Sequence, residues 1–218
     1  KNWGEQEWRR YLWNYYRMTE RVDKQIGRVL EALDASGLTD DTLVLFTSDH
    51  GDGVASHRWT AKLSLYEESA RIPFIVRWPK KIPAGKVDVR HLVSQLDILP
   101  TFCDYAGVPA LSSFHGLSLK KIIDNPNASW RDYVVTELAD DNRDKSRKGR
   151  MLRTAHYKYN IYSHGERNEQ LFDLKFDPGE TKNLALNESM QNIVKDHRRM
   201  LREWMQKTND TVDLKGLE

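Results

Sequence analysis

The spacing of the apolar residues changes abruptly near residue 41, and that change limits the folds open to the chain. Between residues 8 and 33, large or apolar side chains recur at Trp8, Leu12, Tyr15, Thr19, Val22, Ile26, Val29 and Leu33. Steps of three and four trace one face of a long helix, and Gly37 supplies its stop. Past Asp40 and Asp41, residues 42–47 read TLVLFT, a short β-branched run of the kind buried on both faces of a parallel sheet. A long helix feeding such a strand is a crossover unit, so an α/β domain is expected.

The following residues extend this pattern. A loop over 48–61 precedes a short helix near 63–70 that Pro73 ends, and a second apolar strand is expected over 74–78. A turn-rich segment, 79–86, leads to a helix of about ten residues ending before Gly107, with Cys103 as a small buried filler. Beyond residue 125 the texture shifts: strands are expected over 130–138, 150–162 and 169–174, and a closing amphipathic helix over 188–207. Strands without intervening helices predict an antiparallel sheet, so the expected division is an α/β part over 1–125 and a small α+β subdomain over 126–218. The polar stretch 140–149 is the expected mobile loop.

Lysine and arginine total 34 against 32 acids, a formal net charge of +2, and no basic block marks a nucleic-acid footprint. The single cysteine, Cys103, excludes an intramolecular disulfide. No apolar stretch approaches the roughly 20 residues of a membrane span.

The residues best suited to chemistry follow the TLVLFT run, in SDHGDGVASHRWTAK. Ligands of open α/β sheets bind outside the carboxyl ends of strands, where Asp49 and His50 stand. A carboxylate and an imidazole on adjacent residues can reach one divalent ion if the backbone turns sharply, and Gly51 and Gly53 relax the limits on that turn. The alternative is an Asx-turn with His50 satisfied by a backbone carbonyl; the residues alone leave both open. Asp52 could bind or cap the turn. Lys62 could return toward the metal and hold an anion, or be solvated surface. His57, Arg58 and Trp59 place an acid/base candidate, a guanidinium and an aromatic ring in one loop, a set that suits a polar or sugar-like ligand.

TLVLFTSDHGD, then Lys62 followed by LYEESARIPFIVRWP, resembles the second half of the type I sulfatases of the alkaline phosphatase superfamily. HLVSQLDILPTFCDYAGVP (91–109), GLSLKKII (116–123) and LFDLKFDPGETKNLA (171–185) extend the resemblance over nearly the whole chain. It implies an alkaline phosphatase-like fold, with part of a mostly parallel, helix-sandwiched sheet followed by the α+β subdomain. It also implies sulfate ester hydrolysis, with a sulfated carbohydrate as the expected substrate. Asp49 and His50 become ligands of a divalent cation, usually calcium, Lys62 a contact to the sulfate oxygens, and His57 a candidate contact to sulfate or substrate. Arg58 and Trp59 are candidate substrate contacts, while Asp97 and Asp177 are expected to be structural.

The family attacks with a formylglycine formed in a CxPSR or SxPSR motif, which these 218 residues lack. The nucleophile and an additional acidic pair are therefore expected on an amino-terminal portion, and the isolated chain is expected to be inactive. Alternatives are a phosphonate or phosphodiester hydrolase of the same superfamily and a non-catalytic remnant. The family habit implies a periplasmic or secreted protein in bacteria, lysosomal or secreted in animals.

Overall fold

A computed structural model describes residues 1–139 and 148–217. Most of the polar stretch expected to be mobile, residues 140–147, lies outside the described residues. The chain forms two compact units, residues 1–87 and 88–218.

In the first unit, helix α1 (Glu5–Ala35) covers the expected apolar seam, and Gly37 follows it at φ +73°, a conformation that favours glycine. None of the helix's residues is fully buried. Strands β1 (Val44–Thr47) and β2 (Phe74–Arg77) pair antiparallel, with Val44 opposite Arg77 and Phe46 opposite Ile75. This corrects the parallel reading for the pair. An apolar, β-branched run reports burial, not the direction of its neighbour, and the chain between β1 and β2 holds loop and the single-turn helix α2 (Glu67–Ala70) instead of a crossover helix. Phe46 and Ile75 are 39% and 57% exposed, so one face of this ribbon is uncovered.

The second unit opens with a tightly satisfied acid. Asp97 has no exposed surface; its carboxylate accepts from the backbone N–H groups of Ser94 at 2.8 Å and Leu117 at 2.7 Å, and from Arg131 at 3.0 Å. The Ser94 bond closes a capping box on the 3-10 turn Gln95–Asp97 that leads into helix α3 (Ile98–Ala106), and the Leu117 bond ties that turn to the GLSL segment before helix α4 (Lys120–Asp124). Asp97 is structural, as expected.

Strands β3 (Tyr133–Ala139), β4 (Lys148–Thr154), β5 (Tyr157–Tyr162) and β6 (Glu169–Asp173) form an antiparallel meander in sequence order. The segment read as one strand over 150–162 is two strands with a tight turn. No glycine marks that turn because Thr154 closes it, its hydroxyl donating to the Tyr157 carbonyl at 3.0 Å and accepting the Tyr157 N–H at 3.1 Å. Helix α5 (Gln191–Thr208) packs Val194, Leu201 and Met205 against Leu152, Tyr159, Ile161 and Leu171. Alternation along β5 sends Lys158 to the other face, where its ammonium pairs with Glu180 at 2.8 Å, both fully buried. Glu180 closes the DPGE turn, in which Asp177 accepts from the Thr181 and Lys182 N–H groups at 3.1 and 2.8 Å. That signature is a structural latch.

Candidate active site

Asp49 and His50 follow β1 directly, and their side chains turn the same way. The Asp49 carboxylate oxygen Oδ2 lies 3.2 Å from His50 Nε2, and Lys62 Nζ lies 2.7 Å from that same nitrogen. On the other side of the ring, Nδ1 is 2.8 Å from the Gly51 carbonyl, an acceptor only, so Nδ1 carries the proton. Nε2 is left with its lone pair aimed at the Asp49 carboxylate and the lysine. A carbonyl bond that fixes the imidazole in this way is the usual support of a metal-bound histidine. The His50 backbone N–H, 3.0 Å from Oδ1, is the main cause that holds Asp49 below the usual carboxylate range, with smaller help from the Lys62 charge.

The two glycines serve differently from the expected role. Neither lies in the left-handed region. Gly51 is pressed flat on the next helix, its N–H bonded to the Ser69 carbonyl at 2.9 Å, and a Cβ there would stand 1.9 Å from the Glu68 carbonyl oxygen. At Gly53 a Cβ would meet Trp59 Cδ1 at 2.6 Å. The left-handed positions are instead Val54, Ala55, His57, Arg58 and Ala61, five non-glycine residues in one loop. Asp52 holds this loop: Oδ1 accepts from the Val54 N–H at 2.9 Å and from the Tyr11 hydroxyl, and Oδ2 accepts from the Ala61 N–H at 3.1 Å. With its oxygens so engaged, Asp52 is a turn residue, tied to α1.

The structure brings together Asp49, His50 and Lys62. His57 enters a second cluster, its ring stacked on Tyr66 with centroids 4.0 Å apart and its Nε2 3.9 Å from Glu68 Oε2. That carboxylate oxygen is buried and has no hydrogen-bond partner among the described residues. Arg58 is exposed and donates to the Trp3 carbonyl at 3.3 Å, while Trp59 packs on Gly53 inside the loop. Sequence reasoning missed Tyr11, Tyr66 and Glu68. Tyr11 borders the apolar seam of a helix, where nothing marks a phenol for polar work; Tyr66 and Glu68 stand in LYEESA, where only the pairing with His57 reveals them.

Among the described residues no three His, Cys, Asp or Glu side chains converge. Asp49 and His50 therefore fit a divalent cation as a partial donor set, one oxygen and one imidazole nitrogen.

The sequence profile described as "N-sulphoglucosamine sulphohydrolase, C-terminal" matches residues 55–207, and that described as "Sulfatase" matches residues 1–108. The chain belongs to the type I sulfatase family. It is 37% identical over 213 residues to a Delta 4,5-hexuronate-2-O-sulfatase of Bacteroides thetaiotaomicron, covering 96% of this chain and 44% of that sulfatase. It is 36% identical to human arylsulfatase K over 79% of the chain and 33% of the relative. Among solved structures, a 2-O GAG sulfatase superposes with a TM-score of 0.90 at 35% identity, over 97% of this chain and 47% of that one. A protein in complex with its substrate D-glucosamine-2-N,6-O-disulfate gives 0.77 at 31%, over 87% and 39%. The phosphonate monoester hydrolase of Agrobacterium radiobacter also gives 0.77, at 27%, over 88% and 40%. The fold of this sulfatase chain is thus alkaline phosphatase-like, and the chain spans less than half the length of each relative.

Proposed function

We propose that this chain supplies the cation- and anion-binding part of a sulfuric ester hydrolase that acts on a sulfated carbohydrate. The observation that carries the reading is the convergence of Asp49, His50 and Lys62 around one imidazole lone pair. Asp49 and His50 would hold the cation, which the family resemblance makes calcium. Bound there, it would supply Lewis-acid stabilisation of charge on the ester oxygens. One lone pair serves one partner, so with a cation on His50 the Lys62 ammonium would be free to hold the sulfate oxygens. Lys62 then clamps the anion as charge develops on the leaving oxygen. His57, its ring stacked on Tyr66, is the proposed further contact to sulfate or substrate, with Arg58 and Trp59 beside it on the same loop. Relatives named for hexuronate and glucosamine sulfates support a sulfated sugar as substrate.

We assign residues 1–125 to the catalytic α/β domain and 126–218 to its carboxyl-terminal subdomain. The formylglycine nucleophile and the other cation ligands belong to a portion of the protein outside these residues. The proposed compartment is periplasmic or extracellular, or lysosomal in an animal; no helix among the described residues is long and apolar enough to cross a membrane.

The test is steady-state turnover of an aryl sulfate and an aryl phosphonate by the complete protein. The sulfate is expected to be the better substrate, and Lys62→Ala to lower kcat/KM by about 10²–10³, as for a lost oxyanion donor. The likeness to a phosphonate hydrolase favours the second reading, which equal or faster phosphonate turnover would establish.

A further inference from the structure

Helix α1 carries a second seam with the rhythm of the apolar one. Arg10, Asn14, Arg17, Arg21, Lys24 and Arg28 follow at steps of four, three, four, three and four, the spacing of Trp8, Leu12, Tyr15, Thr19, Val22 and Ile26 displaced by two residues. Two residues turn an α-helix by about 200°, so this seam lies opposite the apolar one. An element that covered only the apolar face would leave the cations outside. Tyr11, which bonds Asp52, sits on the helix side turned toward the loop, away from the centre of the seam. Every seam residue is exposed, and none is an acid.

Among the described residues only Arg17 of the five cations pairs with a carboxylate, that of Glu20 three residues on. Arg28 donates to Gln25 at 2.8 Å. Exposed pairs of this kind are worth little and exchange readily. Trp13, 63% exposed, stands at the seam's edge, and with Asn14, Arg17, Met18 and Arg21 it lines a shallow depression. Five positive charges are lined up over about 27 Å of helix, with the helix's acids, among them Glu7, Glu20 and Glu31, placed at the borders of the seam or beyond it.

We propose that this seam binds the anionic chain of a sulfated polysaccharide, with the Trp13 ring beneath a sugar and the guanidinium groups on sulfate and carboxylate oxygens. Four of the five cations are arginines, whose planar donors match such oxygens in pairs. An indole accepts the apolar face of a pyranose. A cationic helix alone would suit any polyanion; the exposed indole favours a sugar chain, and the choice of a sulfated one rests on the proposed sulfatase function. The seam would hold a long substrate chain while the Asp49 cluster works on one sulfate of it.

The probe is heparin, read by calorimetry at several salt concentrations on the complete protein. The triple variant Arg17→Gln/Arg21→Gln/Lys24→Gln is expected to lose at least tenfold in affinity and to flatten the salt dependence, and Trp13→Ala to weaken binding several-fold. Removing the same charge elsewhere, with Lys80→Gln/Lys81→Gln/Lys86→Gln, is expected to leave affinity within twofold. Equal losses in the two triple variants mean general cation exchange and overturn the proposal, as does equally tight binding of duplex DNA. Aryl sulfate turnover by the wild-type protein is read separately. Its absence would refute the sulfatase reading, whereas an unmoved heparin affinity in the seam variant refutes only the seam.

Discussion

A single carboxylate, Asp52, ties three points together: the Val54 and Ala61 N–H groups at either end of a strained loop, and the Tyr11 hydroxyl on α1. Burial and the Asp52 charge push the Tyr11 phenol well above its ordinary range, so it stays a donor at any working pH. Tyr11→Phe should cost about 1 kcal/mol, and Asp52→Ala about 1–3 kcal/mol because it also strands two backbone donors. The double variant should fall short of the sum by at least about 0.5 kcal/mol. Urea unfolding of the four proteins measures this, and simple additivity would show that the two residues do not act together. Gly51 makes a sharper case. Its φ is ordinary, so glycine is required only because the backbone lies against Glu68, and Gly51→Ala should cost about 3 kcal/mol, the upper end of overpacking. A fall of less than 1 kcal/mol, on the order of one methylene's transfer energy, would mean that the loop and α2 part easily. The sequence announced two glycines and an Asx-type acid in a turn. It could not say that both are demanded by space and neither by φ, because for Gly51 that depends on a carbonyl seventeen positions downstream.

Among the elements, those with a strong period were legible and those closed by side chains were not. The seam of α1, the helix before Gly107 and the closing helix all stand where their spacing placed them, since each depends on a face repeated over several turns. The β4–β5 turn escaped because its closure is a threonine hydroxyl, and the β1–β2 pairing because composition carries no direction. Helix α5 makes a testable commitment through His197. The imidazole is buried between the Tyr157 and Tyr159 rings, with Nδ1 2.8 Å from the Ile193 carbonyl and Nε2 3.4 Å from the Thr154 hydroxyl. Burial lowers its pKa from the ordinary 6.5, outweighing the bond to Ile193 and the Asp196 charge, so the folded protein holds it neutral. Below pH 6.5 the unfolded chain takes up a proton that the folded one refuses, and stability should decline as pH falls through that value. The same sign applies to Asp210, whose Arg150 partner lowers its pKa, but that loss begins only below its ordinary 3.8. Urea midpoints between pH 7 and pH 5 should therefore drop for the wild type and stay level for His197→Gln; parallel slopes would assign the effect to other groups.

At the scale of the whole molecule, the chain is less than half the length of the relatives it matches. On the β1–β2 ribbon Phe46 and Ile75 are 39% and 57% exposed, and the α3 residues Leu99 and Phe102 are 53% and 41% exposed. Among the described residues the metal-grade ligands of this cluster stop at two. Calcium is held by roughly six to eight oxygen ligands, and even complete protein sites of the extracellular kind bind it at about 10⁻⁴–10⁻³ M. A donor set of one carboxylate and one imidazole, on a surface where the Asp49 side chain is 80% exposed, falls far short of that. Within reach of Asp49 and His50 the ammonium of Lys62 also competes for the same nitrogen. The 218-residue chain by itself should accordingly bind calcium more weakly than about 10⁻³ M and turn over no aryl sulfate, while the complete protein should do both. Titration calorimetry and a turnover assay on the two proteins decide it. Micromolar calcium binding by the short chain would mean that these residues close a cation site without outside ligands, and Asp49 and His50 would then be part of a site the sequence resemblance did not describe.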